Sequence, residues 1–430
     1  MNIKQASIDI PKPKTFYGWF IALAGFMLLF CFAGSGFYSF GVFIKPLEVE
    51  FGWSRSAITF TISIYLMVLG LAAPVAGRLV QTIGPRKVMC IGAIGAGACF
   101  FMISFTRNLF FFYVLYALLA LNMIGIGYIP VSTLIANWFY RRRGTAIGFV
   151  YMGISAGGMI FAPVIGQINM ILGWRHAFVF LGLLVWFLAV PIVIIVIKES
   201  PYDCGLLPYG DMPAVEDEPP SSAHGNQKPV CISDSSRSLK ESLSTKAFKW
   251  IVVTFFLGAT AQMAVLQHQV VLMSGKGISY GTASTALGIT SGMGGLGKFC
   301  FGWLTESLPF RWVVVLCYTL QAIGIMILLN LNTPSLIWFY AVIFGFGMGG
   351  VLVLQPLIVG QFFGLTSFSM LLGIITLGQS FGAAIGAFSA GLLYDHFGNY
   401  HHAMITFLII YAMAICSIFM AGKPKPLTPQ

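Results

Sequence analysis

Lys298 stands alone in "SGMGGLGKFCFGWLTE" (residues 291–306), a glycine-rich apolar stretch suited to lipid. A charge at bilayer depth costs about 2.5–3.5 kcal/mol on insertion scales and is rarely idle. An ammonium group there can hold an anion, above all a carboxylate. The plainer readings are that it reaches along its stem to the interface or pairs with Glu306, eight residues on. Eight residues of helix are about 12 Å, a long way for one lysine side chain. Gly292, Gly294, Gly295 and Gly297 around it favour a helix packed on other helices.

His268, in "LQHQVV", is a titratable group inside another apolar run. It can carry a coupled proton, hydrogen-bond a substrate, or simply pack. Gln267 and Gln269 beside it are consistent with a wet helix face. Of the 13 acidic residues, eight lie between positions 198 and 247. Asp9 is in the N-terminal tail, Glu48 and Glu50 follow the first apolar run, and Glu306 and Asp395 mark the ends of others. No carboxylate lies deep in an apolar run, which disfavours carriage of organic cations or metal ions and a carboxylate proton relay. Catalysis would need a cluster of nucleophile, acid and base, or metal ligands. His396, His401 and His402 near Asp395 come nearest and read as a wet loop, so the chain is not expected to be an enzyme. The eight cysteines form no CxxC pair and read as packing residues, and no cofactor is expected. No GxxxxGK[ST] phosphate loop is present, which leaves a gradient or a partner protein as energy source.

These residues need elements to hold them. The chain is 58% hydrophobic and 9% charged over 430 residues. A soluble domain carries about 25% charged residues, so the solvent here is a lipid bilayer. Twelve segments are long and apolar enough to cross it: 17–44, 57–80, 87–105, 109–138, 144–170, 176–197, 248–274, 282–305, 312–331, 335–362, 368–393 and 402–421. The first is too long for a signal peptide and reads as an uncleaved span. The net charge of +11 is spread over short loops such as "YRRRG" (140–144), which argues against a nucleic-acid partner. With the N-terminus inside, 18 Lys and Arg fall on the inner side and five on the outer. That asymmetry puts both termini in the cytoplasm, in an inner or plasma membrane. Lys45 and Arg55, at the outer mouth, are solvated span ends or an electrostatic lure for anions.

The expected organisation is an N-terminal six-helix bundle (1–197), a flexible Pro-, Ser- and acid-rich linker (198–247) and a C-terminal six-helix bundle (248–430). The halves repeat at an offset of 225, pairing Gly77 with Gly302, Arg86 with Arg311, Gly148 with Gly373, Ser155 with Ser380 and Gly157 with Gly382. Parallel six-helix repeats place a binding site between the halves at midplane.

The twelve-span layout with its long central loop resembles the major facilitator superfamily. Arg78 to Lys87 is similar to that superfamily's loop between spans 2 and 3, with Gln81 where an acid is usual and Glu306 kept in the second-half copy. "FYGW" (16–19), "YSFGVFIKPLEVEFGWSR" (38–55), "ANWFYRRRGTAIGF" (136–149) and "ESPYDCGLLPYGD" (199–211) resemble the monocarboxylate transporter and oxalate/formate antiporter group. The resemblance implies an all-α twelve-helix carrier that rocks about a central site. It also implies a cytoplasmic gate at Arg78, Arg86, Glu306 and Arg311. Members of the group place a basic residue in span 8 ahead of a G-x-L-x-D/E pattern, as Lys298 precedes Gly302 to Glu306 here. Tyr38 and Tyr128 stand where the antiporter has aromatic cage residues, although each also suits packing. Gln379 replaces the antiporter's second lysine, which favours a monoanion over a dianion; amide packing between helices is the alternative role. Met348 and Leu352 replace aromatics and leave room for an apolar substituent.

The expected function is secondary transport of a small monocarboxylate by alternating access, with Lys298 as counter-charge and protons or a counter-anion as the coupled species. The alternative is a sensor that keeps the fold and signals without carrying its anion.

Overall fold

The computed structural model describes residues 16–210, 238–331 and 335–422. Spans 1 to 6 are Gly18–Phe51, Ala57–Ile83, Pro85–Ile103, Leu109–Trp138, Arg143–Leu172 and Trp174–Val196. Spans 7 to 12 are Lys246–Gly275, Tyr280–Leu304, Phe310–Leu329, Leu336–Phe363, Phe368–Phe397 and Tyr400–Met420. Eleven of these are long and apolar enough to cross a membrane among the described residues; span 8, which carries Lys298, is a helix of 25 residues outside that set. Side chains of Ser54, Asn108, Thr245, Ser279 and Asn399 cap the helices that follow them, satisfying amides the first turn leaves open.

Three spans depart from regular helix, span 6 through π turns at Val185–Ala189 and Ile192–Val196, and spans 1 and 4 as follows. Span 1 opens into a π turn at Gly34–Tyr38 and resumes at Phe40, running on to Phe51, beyond the expected end at 44. Span 4 tightens at Ile124–Ile126 and restarts at Tyr128. Irregular turns within helices often accompany functional positions, and here they set the places of Tyr38 and Tyr128.

The halves meet along two seams. In one, spans 5 and 8 approach so closely that a Cβ on Gly148 would fall 2.7 Å from the Lys298 carbonyl oxygen, and Gly302 packs on Gly144. In the other, a Cβ on Gly373 would fall 2.5 Å from the carbonyl oxygen of Ala73, and Gly77 packs on Ser369. Both seams run from the face that carries the start of span 1 and the end of span 12, here termed the terminal face. They reach inward to Ser155 and Gly295 on one side and Gly70 and Ser380 on the other. Beyond that depth Gly292 and Gly288 of span 8 face open space. The halves therefore close at the terminal face and part toward the opposite one.

Three of the stretches that carry the family resemblance converge at the terminal face. Tyr209 accepts backbone hydrogen bonds from Tyr140 (3.1 Å) and Arg141 (2.8 Å) and donates to Trp138 (2.9 Å). Phe16, Trp19, Phe139 and Tyr209 pack ring on ring at 5.1–6.2 Å. Trp138 Nε1 donates to the Lys198 carbonyl at 2.9 Å and the Tyr17 hydroxyl to that of Val196 at 2.8 Å. This clasp ties the chain after span 6 to the turn between spans 4 and 5. The flanks of the expected linker thus carry regular structure, a short 3₁₀ turn at Pro201–Cys204 and a helix at Leu239–Ser244. Its middle, 211–237, lies outside the described residues, as do Lys4, Asp9, Lys12, Lys14, Lys423 and Lys425.

Candidate functional site

Lys298 is 4% exposed. It does not face lipid, and it does not pair with Glu306. Its Nζ donates to the Ser155 hydroxyl at 3.0 Å and to the Gly294 carbonyl, one turn back on its own helix, at 3.3 Å. Ser155 belongs to span 5, so the bond crosses between the halves. An ammonium has three donors; two are engaged here, both by neutral acceptors. No carboxylate lies within 4 Å of Nζ among the described residues. Burying an ammonium without a counter-charge is costly, and Ser155 repays only part of that. Lys276 is a contrasting case: its Nζ caps the last turn of span 9 through the carbonyls of Leu328 (2.9 Å) and Leu329 (2.6 Å). That lysine completes a helix end; Lys298 completes nothing of the kind.

An apolar group lies beside the amine. The Met348 methyl packs against Gly294, which sits beside Nζ. Tyr38 lies over Gly158, three residues outward of Ser155 on span 5, and is 36% exposed. The structure therefore brings Met348 beside Lys298, and sets Tyr38 against span 5 one turn outward of Ser155. Tyr128 is placed differently. Its ring meets Phe32 at 6.0 Å and lies near Thr376 of span 11. The hydroxyls of Thr376 and Tyr65, both close to that of Tyr128, are buried. Tyr128 thus belongs to a polar group between spans 2, 4 and 11.

Gln379 accepts from Gln355 Nε2 of span 10 at 2.6 Å, an amide pair between helices. His268 is held inside the second half. Its Nδ1 lies 3.0 Å from the Tyr400 hydroxyl and its Nε2 3.1 Å from the Ala387 carbonyl, which fixes Nε2 as a donor. Both ring nitrogens are occupied by spans 11 and 12, and His268 is not brought to Lys298. Lys45 is exposed at the opposite face, and the side chain of Arg55 lies outside the described residues.

At the terminal face Glu306 crosses between the halves. Its Oε1 accepts from the backbone N–H of Thr145 at 2.8 Å and from its hydroxyl at 2.7 Å, in the first turn of span 5. A carboxylate there satisfies open amides and meets the positive end of the helix dipole. Gln81 crosses the other seam by donating to the Thr366 carbonyl, just before span 11. Arg86 stays within its half, binding the last carbonyls of span 6 at Val193 (3.4 Å) and Ile194 (2.6 Å). Arg78 is exposed, and neither it nor Arg311 has a side-chain partner among the described residues.

Sequence reasoning passed over three partners: Ser155, Thr145 and Gln355. The repeat pairs Ser155 with Ser380, and that was the available signal, since both sit opposite a glycine at the seams. Nothing local marks Thr145 or Gln355.

The family model of the Major Facilitator Superfamily matches residues 26–304 and 269–430. The chain belongs to this superfamily. An uncharacterized transporter of the superfamily type, YcxA of Bacillus subtilis (strain 168), is 23% identical over 418 residues, covering 94% of this chain and 92% of that one. Monocarboxylate transporter 12 of Mus musculus is 23% identical over 442 residues, covering 97% and 87%. A crystal structure of the superfamily transporter FucP in the outward conformation is similar with a TM-score of 0.67 at 14% identity, covering 95% of this chain and 100% of that one. Superfamily membership accounts for the twelve spans and makes the chain a multi-pass membrane transporter.

Proposed function

We propose that this transporter carries a small organic monoanion, a monocarboxylate, by alternating access, with Lys298 as its counter-charge. One observation carries the reading: a buried ammonium at the seam of the halves, hydrogen-bonded only to neutral groups. A carboxylate gives that ammonium a charge-assisted bond that Ser155 and Gly294 do not. Because Ser155 holds the same amine from the other half, an anion arriving at Nζ competes for a bond that helps close the seam. Occupancy and closure are thereby linked at one atom. The positively charged terminal face is read as cytoplasmic, so the structure represents an outward-open state, locked below by Glu306 on Thr145.

A single ammonium with a neutral Gln379 favours one negative charge over two. Met348 beside the amine provides room for an apolar substituent, and the likeness to monocarboxylate transporters supports the same substrate class. Among the described residues no Asp or Glu lies inside a span away from its ends, and His268 is held by Tyr400 and Ala387. Both facts favour exchange for a counter-anion over symport through a side-chain proton relay.

The test is uptake into proteoliposomes across lactate, pyruvate, acetate, formate, oxalate and longer 2-oxo acids, with and without an internal anion. Lys298→Gln is the partner variant. Uptake of a monocarboxylate that depends on an internal anion and on Lys298 is expected. Unchanged affinity and rate in Lys298→Gln would remove the proposed site. Substrate binding without accumulation would instead favour a sensor.

A further inference from the structure

The head of span 5 is held from two sides. Glu306 of the second half takes the backbone N–H and the hydroxyl of Thr145 at 2.8 and 2.7 Å. Within the first half, the turn before Thr145 is held by the segment that follows span 6. The Tyr209 carbonyl accepts from the amides of Tyr140 and Arg141, and the Tyr209 amide donates to the Trp138 carbonyl, so this one residue pairs with 138–141 as a short strand would. Asn137 Nδ2 donates to the Glu199 carbonyl at 3.4 Å and the Trp138 indole to that of Lys198 at 2.9 Å.

The turn is one that needs support. Arg142, the residue just before span 5, has φ +57° and is the only non-glycine residue in the left-handed region among the described residues. A side chain there crowds its own backbone and costs conformational energy. The matching turn, between spans 10 and 11, is made differently. There the left-handed position falls to Gly364, at φ +75°, and Ser367, which pairs with Arg142 at the offset of 225, has φ −112°. The second half thus turns on a glycine, and the first on an arginine whose neighbours are fixed from outside. Gly210 completes that fixing. Its φ is +105°, and a Cβ on it would lie 2.5 Å from the Arg141 Cβ and 3.0 Å from the Arg141 nitrogen. Glycine lets the segment come this close to the turn.

We propose that residues 199–210 are a brace that shapes the head of span 5 to receive Glu306, with Tyr209 and Gly210 as positioning residues for closure of the terminal face. The brace lies wholly in the first half, so it stays intact when the halves part. What it fixes is the shape of the turn, and hence the direction of the Thr145 amide and hydroxyl. Without it Arg142 relaxes out of the left-handed region, Thr145 is displaced, and Glu306 loses its two donors. The inference rests on the reading that the halves close alternately and is independent of which anion crosses.

Pulsed electron resonance on the full chain in nanodiscs tests it, without substrate and with spin labels at the exposed positions Lys87 and Lys249, one in each half. Gly210→Ala is expected to raise the terminally open fraction about two- to fivefold, as much as loss of the Glu306 contact itself. In a Glu306→Gln background it should add nothing, because the two changes act through one contact. Arg142→Gly should return Gly210→Ala to the wild-type distribution, since a glycine keeps the left-handed turn unaided. A merely structural role yields neither that non-additivity nor that rescue. Tyr209→Ala keeps the backbone pairing but removes the ring from Phe16, Trp19 and Phe139. It should shift the distribution the same way by about twofold, and it carries the test if Gly210→Ala does not fold. The proposal is overturned if the brace variants leave the wild-type distribution, if they shift it equally in the Glu306→Gln background, or if Arg142→Gly fails to restore it. An uptake assay in which Lys298→Gln proves harmless would strike the anion site and leave these distances standing.

Discussion

Along spans 5 and 8, Gly302 meets Gly144, Gly148 meets Lys298, and Gly295 meets Ser155. Along spans 2 and 11, Gly77 meets Ser369, Gly373 meets Ala73, and Gly70 meets Ser380. Each contact of the first seam corresponds to one of the second at the offset of 225. The backbone approach is therefore a property of the repeat. The chemistry is not. Ala73 stands where Lys298 stands, and Gln81 where Glu306 stands. One seam carries a buried cation and an anionic lock on a helix end; the other carries neutral counterparts. The difference teaches that close packing can be duplicated at no electrostatic cost, whereas a second buried ammonium facing the first would be matched only by a dianion.

The comparison can be broken at its charged end first. Lys298→Gln is expected to lower carboxylate uptake about 10- to 100-fold, the value of a hydrogen bond to a charged group. Ser380→Ala, in the neutral seam, should change uptake less than about twofold, since a neutral hydroxyl at that site has no ammonium to hold. Equal losses would mean that the site is not confined to spans 5 and 8. Next come the glycines. Gly148→Val and Gly373→Val each push a side chain into the facing backbone, and overpacking of this kind costs about 1–3 kcal/mol. Both should open the terminal face, read as longer spin-label distances across it. A shift in only one of them would show that the seams are not mechanically equivalent.

The locks are expected to weigh less. Glu306→Gln removes a charge from the head of span 5 and should favour the terminally open state about two- to fivefold, in the range of a helix-dipole interaction. Gln81→Glu should act in the same direction and more weakly, because the amide now donates to the Thr366 carbonyl, which a carboxylate would repel. Glu306→Gln without effect on the spin-label distances would dismiss the lock. The smallest effect belongs to His268→Gln. It loosens the contact between spans 7, 11 and 12, costs about 1 kcal/mol of stability, and leaves the pH profile of uptake unchanged. A flattened pH profile would return His268 to the coupling mechanism.

Much of the fold was legible because its signals are local. Span 3 was expected at 87–105 and is Pro85–Ile103; span 9 was expected at 312–331 and is Phe310–Leu329. Apolar length and the glycine or capping residue beside it suffice to mark a span. The ordered flanks of the linker were less legible, since Tyr209 and Trp138 make sense only once they touch. The candidate site was legible in its charge and illegible in its partners. Lys298 is conspicuous in any reading of the chain, whereas Thr145 is one hydroxyl among many until Glu306 reaches it from 161 positions away.

The sequence by itself determined that this chain lives in a membrane, that it crosses twelve times, that its halves repeat, and that one lysine stands deep in an apolar run. Those are matters of composition, spacing and self-similarity, each readable within a window or by one offset. Only the tertiary structure decided which way Lys298 points, that Ser155 of the other half holds it, that His268 is turned inward upon spans 11 and 12, and that Glu306 accepts from Thr145 at the head of span 5. The rotation of each helix about its axis settles these contacts, and that rotation is fixed by packing between segments over a hundred residues apart.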